Sequence, residues 1–268
     1  MYCVARGAPG AARVSTELPE FDPTSYRPRA DLLKDRVILV TGAGAGIGRA
    51  VALALARHGA TVLLTGRTAK KLEAVYDTII ALGLPKPAYL PLDLETAVAA
   101  DYDALAAAIE TEFGRLDGLL HNAAILGARS PIRHHSVPTW CRVLHVNLTA
   151  AFALTQVCLP LLEAAPDGSL LFTSSGVGAR GRAYWGAYAV SKGGTERLAQ
   201  VLADEYEGQR LRVNVVNPGA VRTSMRALAY PAEDAAGLAS PEGVTATYLY
   251  LLGPESAGVT GRRFDCQR

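Results

Sequence analysis

Cysteine is scarce in this chain and widely scattered. Cys3, Cys141, Cys158 and Cys266 form no CxxC pair and have no metal-ligand spacing, so neither a disulfide scaffold nor a zinc module is expected. Unpaired thiols fit a reducing compartment, the cytoplasm. Charge is also thin. Only 19% of residues are charged and the formal net charge is +2; with no basic stripe and no interleaving of basic and aromatic residues, nothing suggests a nucleic-acid partner. No uninterrupted apolar run reaches the roughly 18 residues of a membrane helix. The alanine-rich stretch 50–56 is flanked by Arg49, Arg57 and His58, which marks a helix in water. Internal repeats are missing, and no linker or composition break follows Asp31.

The beginning of the chain differs from the rest. Residues 1–15 are rich in Ala, Gly and Arg and lack acids, and Pro19, Pro23 and Pro28 then interrupt any periodicity. There is no apolar core for a secretory signal. A transit peptide and an unstructured extension are both compatible with this composition. Residues 1–30 are expected to be a disordered extension, and residues 1–25 to be dispensable.

Half of the 268 residues are apolar, enough to bury a substantial core. From Val37 onward, short β-branched runs alternate with helical patterns. Strands are expected at 37–41, 61–65, 88–92, 118–121, 170–173, 211–216 and 263–265. Helices are expected at 48–58, 69–82, 101–113, 137–147, 148–163, 185–206 and 240–252, with Pro160 as a kink or early stop. Fully apolar strands alternating with helices imply an α/β fold: one doubly wound parallel sheet of about seven strands, covered by helices on both faces. Ligands of such sheets bind beyond the strands' carboxyl ends.

Three residues outline a chemistry there. Tyr188 and Lys192 stand four apart and share a helix face. Ser175 follows the strand-like run 169–174, thirteen residues before Tyr188. An ammonium beside a phenol is expected to lower the phenol's pKa towards neutrality, as proton transfer requires. Upstream, Thr41-Gly42-Ala43-Gly44-Ala45-Gly46-Ile47-Gly48 joins the first strand to the first helix. Such a turn can be purely structural. Its position also lets backbone N–H groups meet a pyrophosphate at the helix N-terminus.

These motifs, in this order and at these separations, resemble the classical short-chain dehydrogenases/reductases, from about Asp35 to Cys266. Within them, the wording of Leu33-Lys34-Asp35-Arg36-Val37, of 181–188 and of 202–206 is similar to the bacterial YciK-like oxidoreductases. The resemblance implies a single Rossmann-like domain over 31–268, with Tyr188 as general acid or base. Lys192 would hold the nicotinamide ribose, Ser175 the substrate oxygen, and Asn147 a relay water. It also implies cofactor contacts from Gly42, Gly44, Gly46, Ile47 and Gly48, from Asp93 and Leu94 at the adenine, and from Asn122 and Ala123. Pro218, Val221 and Thr223 of the 217–223 turn would fix the carboxamide and expose the pro-S hydride, and Tyr188 and Lys192 would complete the nicotinamide contacts. No metal is implied. Departures are His121 and Ala124, where the family's NNAG motif carries Asn and Gly; His121 reads as a packed strand-end residue.

At the end of the second strand, Gly66 stands where NAD-preferring members carry an acid, and Arg67 follows. A guanidinium pairs with a 2′-phosphate, so NADP(H) is expected over NAD(H). The substrate is expected to be a small carbonyl/alcohol pair, a 3-oxoacyl thioester being one specific case. A non-catalytic NADP-binding sensor is the alternative class. Arg226, Arg180 and Arg182 could attract an anion or simply be solvated. A homodimer or homotetramer is expected, through apolar faces of 148–162 and 185–202.

Overall fold

The computed structural model describes residues 21–267. Seven parallel strands run β1 (Val37–Thr41), β2 (Thr61–Gly66), β3 (Ala88–Pro91), β4 (Gly118–His121), β5 (Gly168–Thr173), β6 (Leu211–Asn217) and β7 (Arg263–Asp265). They are ordered β3-β2-β1-β4-β5-β6-β7. The expected doubly wound sheet is present. The chain winds outward from β1 to β3, then returns to lay β4 on the other side of β1, and this reversal opens a crevice.

Side-chain alternation explains why both faces are covered. Ile38, Val40, Val62 and Leu64 point to one core with α1 (Gly46–Arg57), α2 (Ala69–Ala81) and α9 (Thr245–Leu252). Val37, Leu39, Leu63, Leu119 and Phe172 point to the other. That second core is closed by α3 (Ala99–Phe113), α5 (Ala150–Glu163) and α7 (Gly186–Glu205). Buried on both sides, the strands can be apolar at successive positions.

Several boundaries differ from expectation. The stretch 137–163 is continuous: α4 (Val137–Leu144), a π-helical turn (His145–Thr149), then α5. Pro160 lies inside α5 without ending it. The whole stretch is long and apolar enough to cross a membrane by length and composition, an 18-residue window of it having a mean hydropathy of 1.4, although Arg142, His145 and Asn147 interrupt the apolar run as the sequence reading had it. In this fold Val143, Val146, Leu154 and Cys158 are buried, which is how a core helix packs. Two short helices were not foreseen: α6 (Gly176–Ala179) and α8 (Ser224–Ala229). The last helix starts later, with a 3-10 turn (Glu242–Val244) before α9.

At the strands' amino ends a charge network pins the sheet. Arg212 of β6, 3% exposed, donates to Asp167 Oδ1 at 2.8 Å, the Leu251 carbonyl at 3.0 Å and Ser256 Oγ at 2.7 Å. Arg36 reaches the same carboxylate at 3.2 Å. Burial opposes the Asp167 charge, and the Arg212 and Arg36 guanidiniums nonetheless hold its carboxyl below the usual value. The buried Asp117 carboxylate accepts from the Val37 N–H at 2.8 Å, fixing the start of β1 against β4.

Residues 1–20 of the expected extension lie outside the described residues, but 21–30 do not behave as a leader. Phe21 stacks on Tyr250 of α9 at 4.1 Å and 12°, and Tyr26 donates to Glu255 at 2.6 Å. Burial and the Glu255 bond push the Tyr26 phenol above its ordinary pKa. The expected disorder through residue 30 is thus corrected for residues 21–30. A chain starting at residue 21 should match the full chain in thermal stability. One starting at residue 27 loses these aromatic contacts, about 2 kcal/mol, and should melt roughly 4–8 °C lower by calorimetry.

Candidate active site

The crevice between β1 and β4 widens into a cleft of about 410 Å³ along the strands' carboxyl ends. Thr41 sets its floor. Its hydroxyl accepts from the Asn122 N–H at 2.9 Å and the Ala123 N–H at 3.0 Å, and its carbonyl takes the Asn122 side-chain amide at 3.2 Å. The two strand ends are thereby tied together below the glycine turn.

That turn is shaped for close approach. A Cβ at Gly48 would lie 2.3 Å from the Gly42 carbonyl oxygen, and Gly42 has φ +67. Gly48 thus acts by packing and does not line the cleft, whereas Gly42, Gly44, Gly46 and Ile47 do. Ala45, at the N-cap of α1, supplies no side-chain cap, and the first turn carries no acid. The helix's first N–H groups are left for an outside acceptor, which suits an anion. A pyrophosphate fits this cradle.

Arg67, Thr68 and Lys71 form one end of the cleft, with Asp93 and Leu94 beside them. Among the described residues neither Arg67 nor Lys71 has an ion-pair partner. Two unpaired cations suit a phosphate on the adenosine ribose. Lys71 was missed in the sequence because it lies inside a regular helix pattern; the signal was its place one turn after Arg67.

At the other end the catalytic candidates gather. Ser175, Tyr188 and Lys192 all line the cleft, with Pro218, Val221 and Thr223 opposite. The Ser175 hydroxyl favours the ionised form of the Tyr188 phenol. Tyr188 is 8% exposed and Lys192 3%. Lys192 Nζ donates to the Thr173 carbonyl at 2.6 Å and stands 5.9 Å from the Tyr188 ring centroid.

Their electrostatics differ from the simple expectation. Burial pushes Tyr188 up to about 12, and only the Ser175 bond pulls against it. Lys192 Nζ is engaged with the Thr173 carbonyl, and burial dominates the phenol. Burial also lowers Lys192 to about 8, with Glu196 opposing the fall. The phenol therefore remains protonated at neutral pH, a donor in waiting.

Asn147 is not in the cleft wall. It sits in the π-helical turn, where its Oδ1 accepts from the Ile125 N–H at 2.8 Å. Its Nδ2 donates to the Ile125 carbonyl at 2.9 Å and to Ser191 Oγ at 3.0 Å. The side chain thus braces the loop after β4 against α7. Ser191 is a packing partner, its hydroxyl donating to the Tyr188 carbonyl at 2.8 Å.

Arg226 lines the cleft, but Glu233 engages it through two hydrogen bonds of 2.6 and 2.5 Å. It is not a free anion receptor; Arg180 and Arg182 are exposed and do not line the cleft. The wall beyond Tyr188 is apolar: Ala124, Leu126, Trp185, Met225 and Ala229.

His121 is packed, as its sequence position suggested. It stacks on Phe172 at 4.8 Å, and its Nε2 lies 2.8 Å from Thr155 Oγ1. The Thr155 hydroxyl gives its proton to the Ala151 carbonyl, so His121 carries its proton on Nε2. Burial lowers its pKa to about 3, aided by Lys192. Below pH 6.5 the unfolded chain binds a proton that the folded one refuses. Stability should therefore fall as pH drops from about 6.5 towards 3, and His121→Asn should flatten that fall. Urea midpoints at pH 7 and pH 5 check this.

A family model described as short chain dehydrogenase matches residues 36–234. The oxidoreductase YciK of Escherichia coli K12 is 50% identical over 242 residues, 90% of this chain and 96% of that protein. A short chain dehydrogenase structure from Pseudomonas syringae superposes with a TM-score of 0.90 at 52% identity, covering 92% of this chain and 99% of that one. Another, from Escherichia coli CFT073 in complex with NADPH, gives 0.88 at 50% identity, covering 90% and 100%.

Proposed function

The chain belongs to the short-chain dehydrogenase family of oxidoreductases, and on that premise we propose that it reduces a small carbonyl compound, or oxidises the matching alcohol, with NADP(H). The observation that carries this reading is the Ser175–Tyr188–Lys192 group, its tyrosine and lysine buried, sharing one cleft with the Pro218–Thr223 turn.

Bound NADPH would supply the hydride. Pro218, Val221 and Thr223 would hold its carboxamide, and Gly42, Gly44, Gly46 and Ile47 its pyrophosphate. Asp93, Leu94, Asn122 and Ala123 would frame its adenosine half. The protein's own part is the proton. The substrate oxygen accepts hydrogen bonds from Ser175 and Tyr188, and the phenol gives up its proton as charge builds on that oxygen. A phenol held near 12 suits donation, hence reduction; oxidation needs the Lys192 charge turned towards it. Lys192 orients the ribose hydroxyls. The Asn147 side chain is engaged with Ile125 and Ser191, so its part is to brace the loop after β4 beside the catalytic helix.

Arg67 and Lys71 favour NADP(H), and a related structure was solved with NADPH. The apolar wall with Trp185 and Met225 suits an uncharged substrate. The free, buried thiols of Cys158 and Cys266 suit the cytoplasm. Exposed Phe152 on α5 and Val190 and Val201 on α7 suit a homodimer or homotetramer built on those helices.

Tyr188→Phe should cut kcat in a carbonyl panel by about a hundred- to ten-thousand-fold while NADPH affinity is kept. Equal turnover by the variant would defeat the proposal. Arg67→Ala and Lys71→Ala should each weaken NADPH binding about ten- to a hundred-fold and leave NADH unchanged, as read by fluorescence titration.

A further inference from the structure

Glu196 is a buried carboxylate with no role in the chemistry described so far. It lies one helical turn beyond Lys192, on the same face of α7, and is 8% exposed. Leaving such a group buried and charged is costly unless it is compensated. Ser174 donates to its Oε1 at 2.6 Å, and Arg263 of β7 reaches the same oxygen at 3.3 Å. Ser174 immediately precedes Ser175. Gly178 marks where these groups converge. A Cβ there would stand 2.6 Å from Ser174 Oγ, 2.9 Å from Glu196 Oε1 and 3.1 Å from Lys192 Cβ.

We infer that Glu196 is a positioning residue for this site: its carboxylate fixes the Ser174–Ser175 strand end beside Lys192, which rises one turn away from the same face of α7. The inference rests on the roles given above to Ser175 and Lys192. It explains why α6 approaches α7 through a glycine, and why β7 ends in charged residues. Arg263 also pairs with Asp265 at 3.0 Å, and Asp265 accepts from Asn217 Nδ2 at 2.7 Å. Asn217 in turn accepts from the Gly219 N–H at 3.2 Å. A polar chain thus runs from the Ser174 hydroxyl to the Pro218–Thr223 turn, along the sheet's last strand.

The groups facing Lys192 determine the sign of each substitution. Tyr188 and Glu196 come from its own helix, the Thr173 carbonyl from β5, and neutral His121 from β4. Tyr248 of α9, an un-ionised phenol, lies behind Thr173. Arg263 is the neighbouring cation, held by Glu196. Among these, Glu196 is the one anion opposing the loss of the lysine's proton.

The test is an NMR titration of protein labelled at lysine Cε. Lys34, Lys70, Lys71, Lys86 and Lys192 are the chain's lysines, and Lys192→Met identifies the relevant signal. Wild-type Lys192 should titrate near 8. Glu196→Gln, which keeps the shape, should lower that value by about one unit and move the alkaline limb of kcat/KM with it. Arg263→Met, which removes the cation, should move both upward. An ion pair that only ties β7 to α7 would cost melting temperature in both variants and shift neither titration, and that result overturns the inference. Should Glu196→Gln not fold, Arg263→Met decides alone: an upward shift supports the inference and no shift refutes it. Undiminished turnover by Lys192→Met would instead strike the proposed function, since the titration needs no turnover.

Discussion

The cleft exists because β1 and β4 lie side by side while the chain leaves them in opposite directions. Ile38 pairs with Gly118, Leu39 with Leu119 and Val40 with Leu120. Thr41 then closes the carboxyl end with its hydroxyl on two N–H groups of the 122–123 turn. Asp117 secures the amino end on Val37. Between these two anchors the strands cannot slip, since a one-residue shift would turn each apolar side chain towards the wrong core. The glycine turn, the adenosine end and the catalytic end are all hung from this pair.

Burial then sets the chemistry. A lysine, a tyrosine and a histidine sit within one poorly solvated region, and each is pushed towards its neutral form. The consequences differ because their neighbours differ. His121, bonded to Thr155, stays neutral and serves packing. Tyr188 holds its proton until a substrate oxygen asks for it. Lys192 is lowered to about 8 by burial, with Glu196 pulling the other way.

Much of this was legible in the sequence. The inner strands β1, β2, β4, β5 and β6 were readable because strands buried on both faces carry a strong local signal, whereas the edge strands β3 and β7 are partly exposed. The glycine turn and the serine, tyrosine and lysine spacing were readable because their geometry is local to one turn or one helix. Contacts set by how the chain turns back on itself were not. Glu233 reaching back seven residues to Arg226, and Ser174 held by Glu196 of another element, depend on turns and packing that spacing alone does not show. The Asn147 side chain seemed free for a relay, and only the π-helical turn shows it engaged with Ile125 and Ser191. Phe21 and Tyr26 looked like leader sequence because prolines flank them, yet they dock on Tyr250.

The central claim is that the cleft joins a hydride presented by the Pro218–Thr223 turn to a proton presented by Tyr188. Hydride stereochemistry tests it most directly. With NADPH deuterated at the 4-pro-S position and a reducible ketone, mass spectrometry of the alcohol should find the deuterium on the carbinol carbon. Deuterium left in the oxidised cofactor would mean that the opposite face of the ring meets the substrate, and would contradict the account.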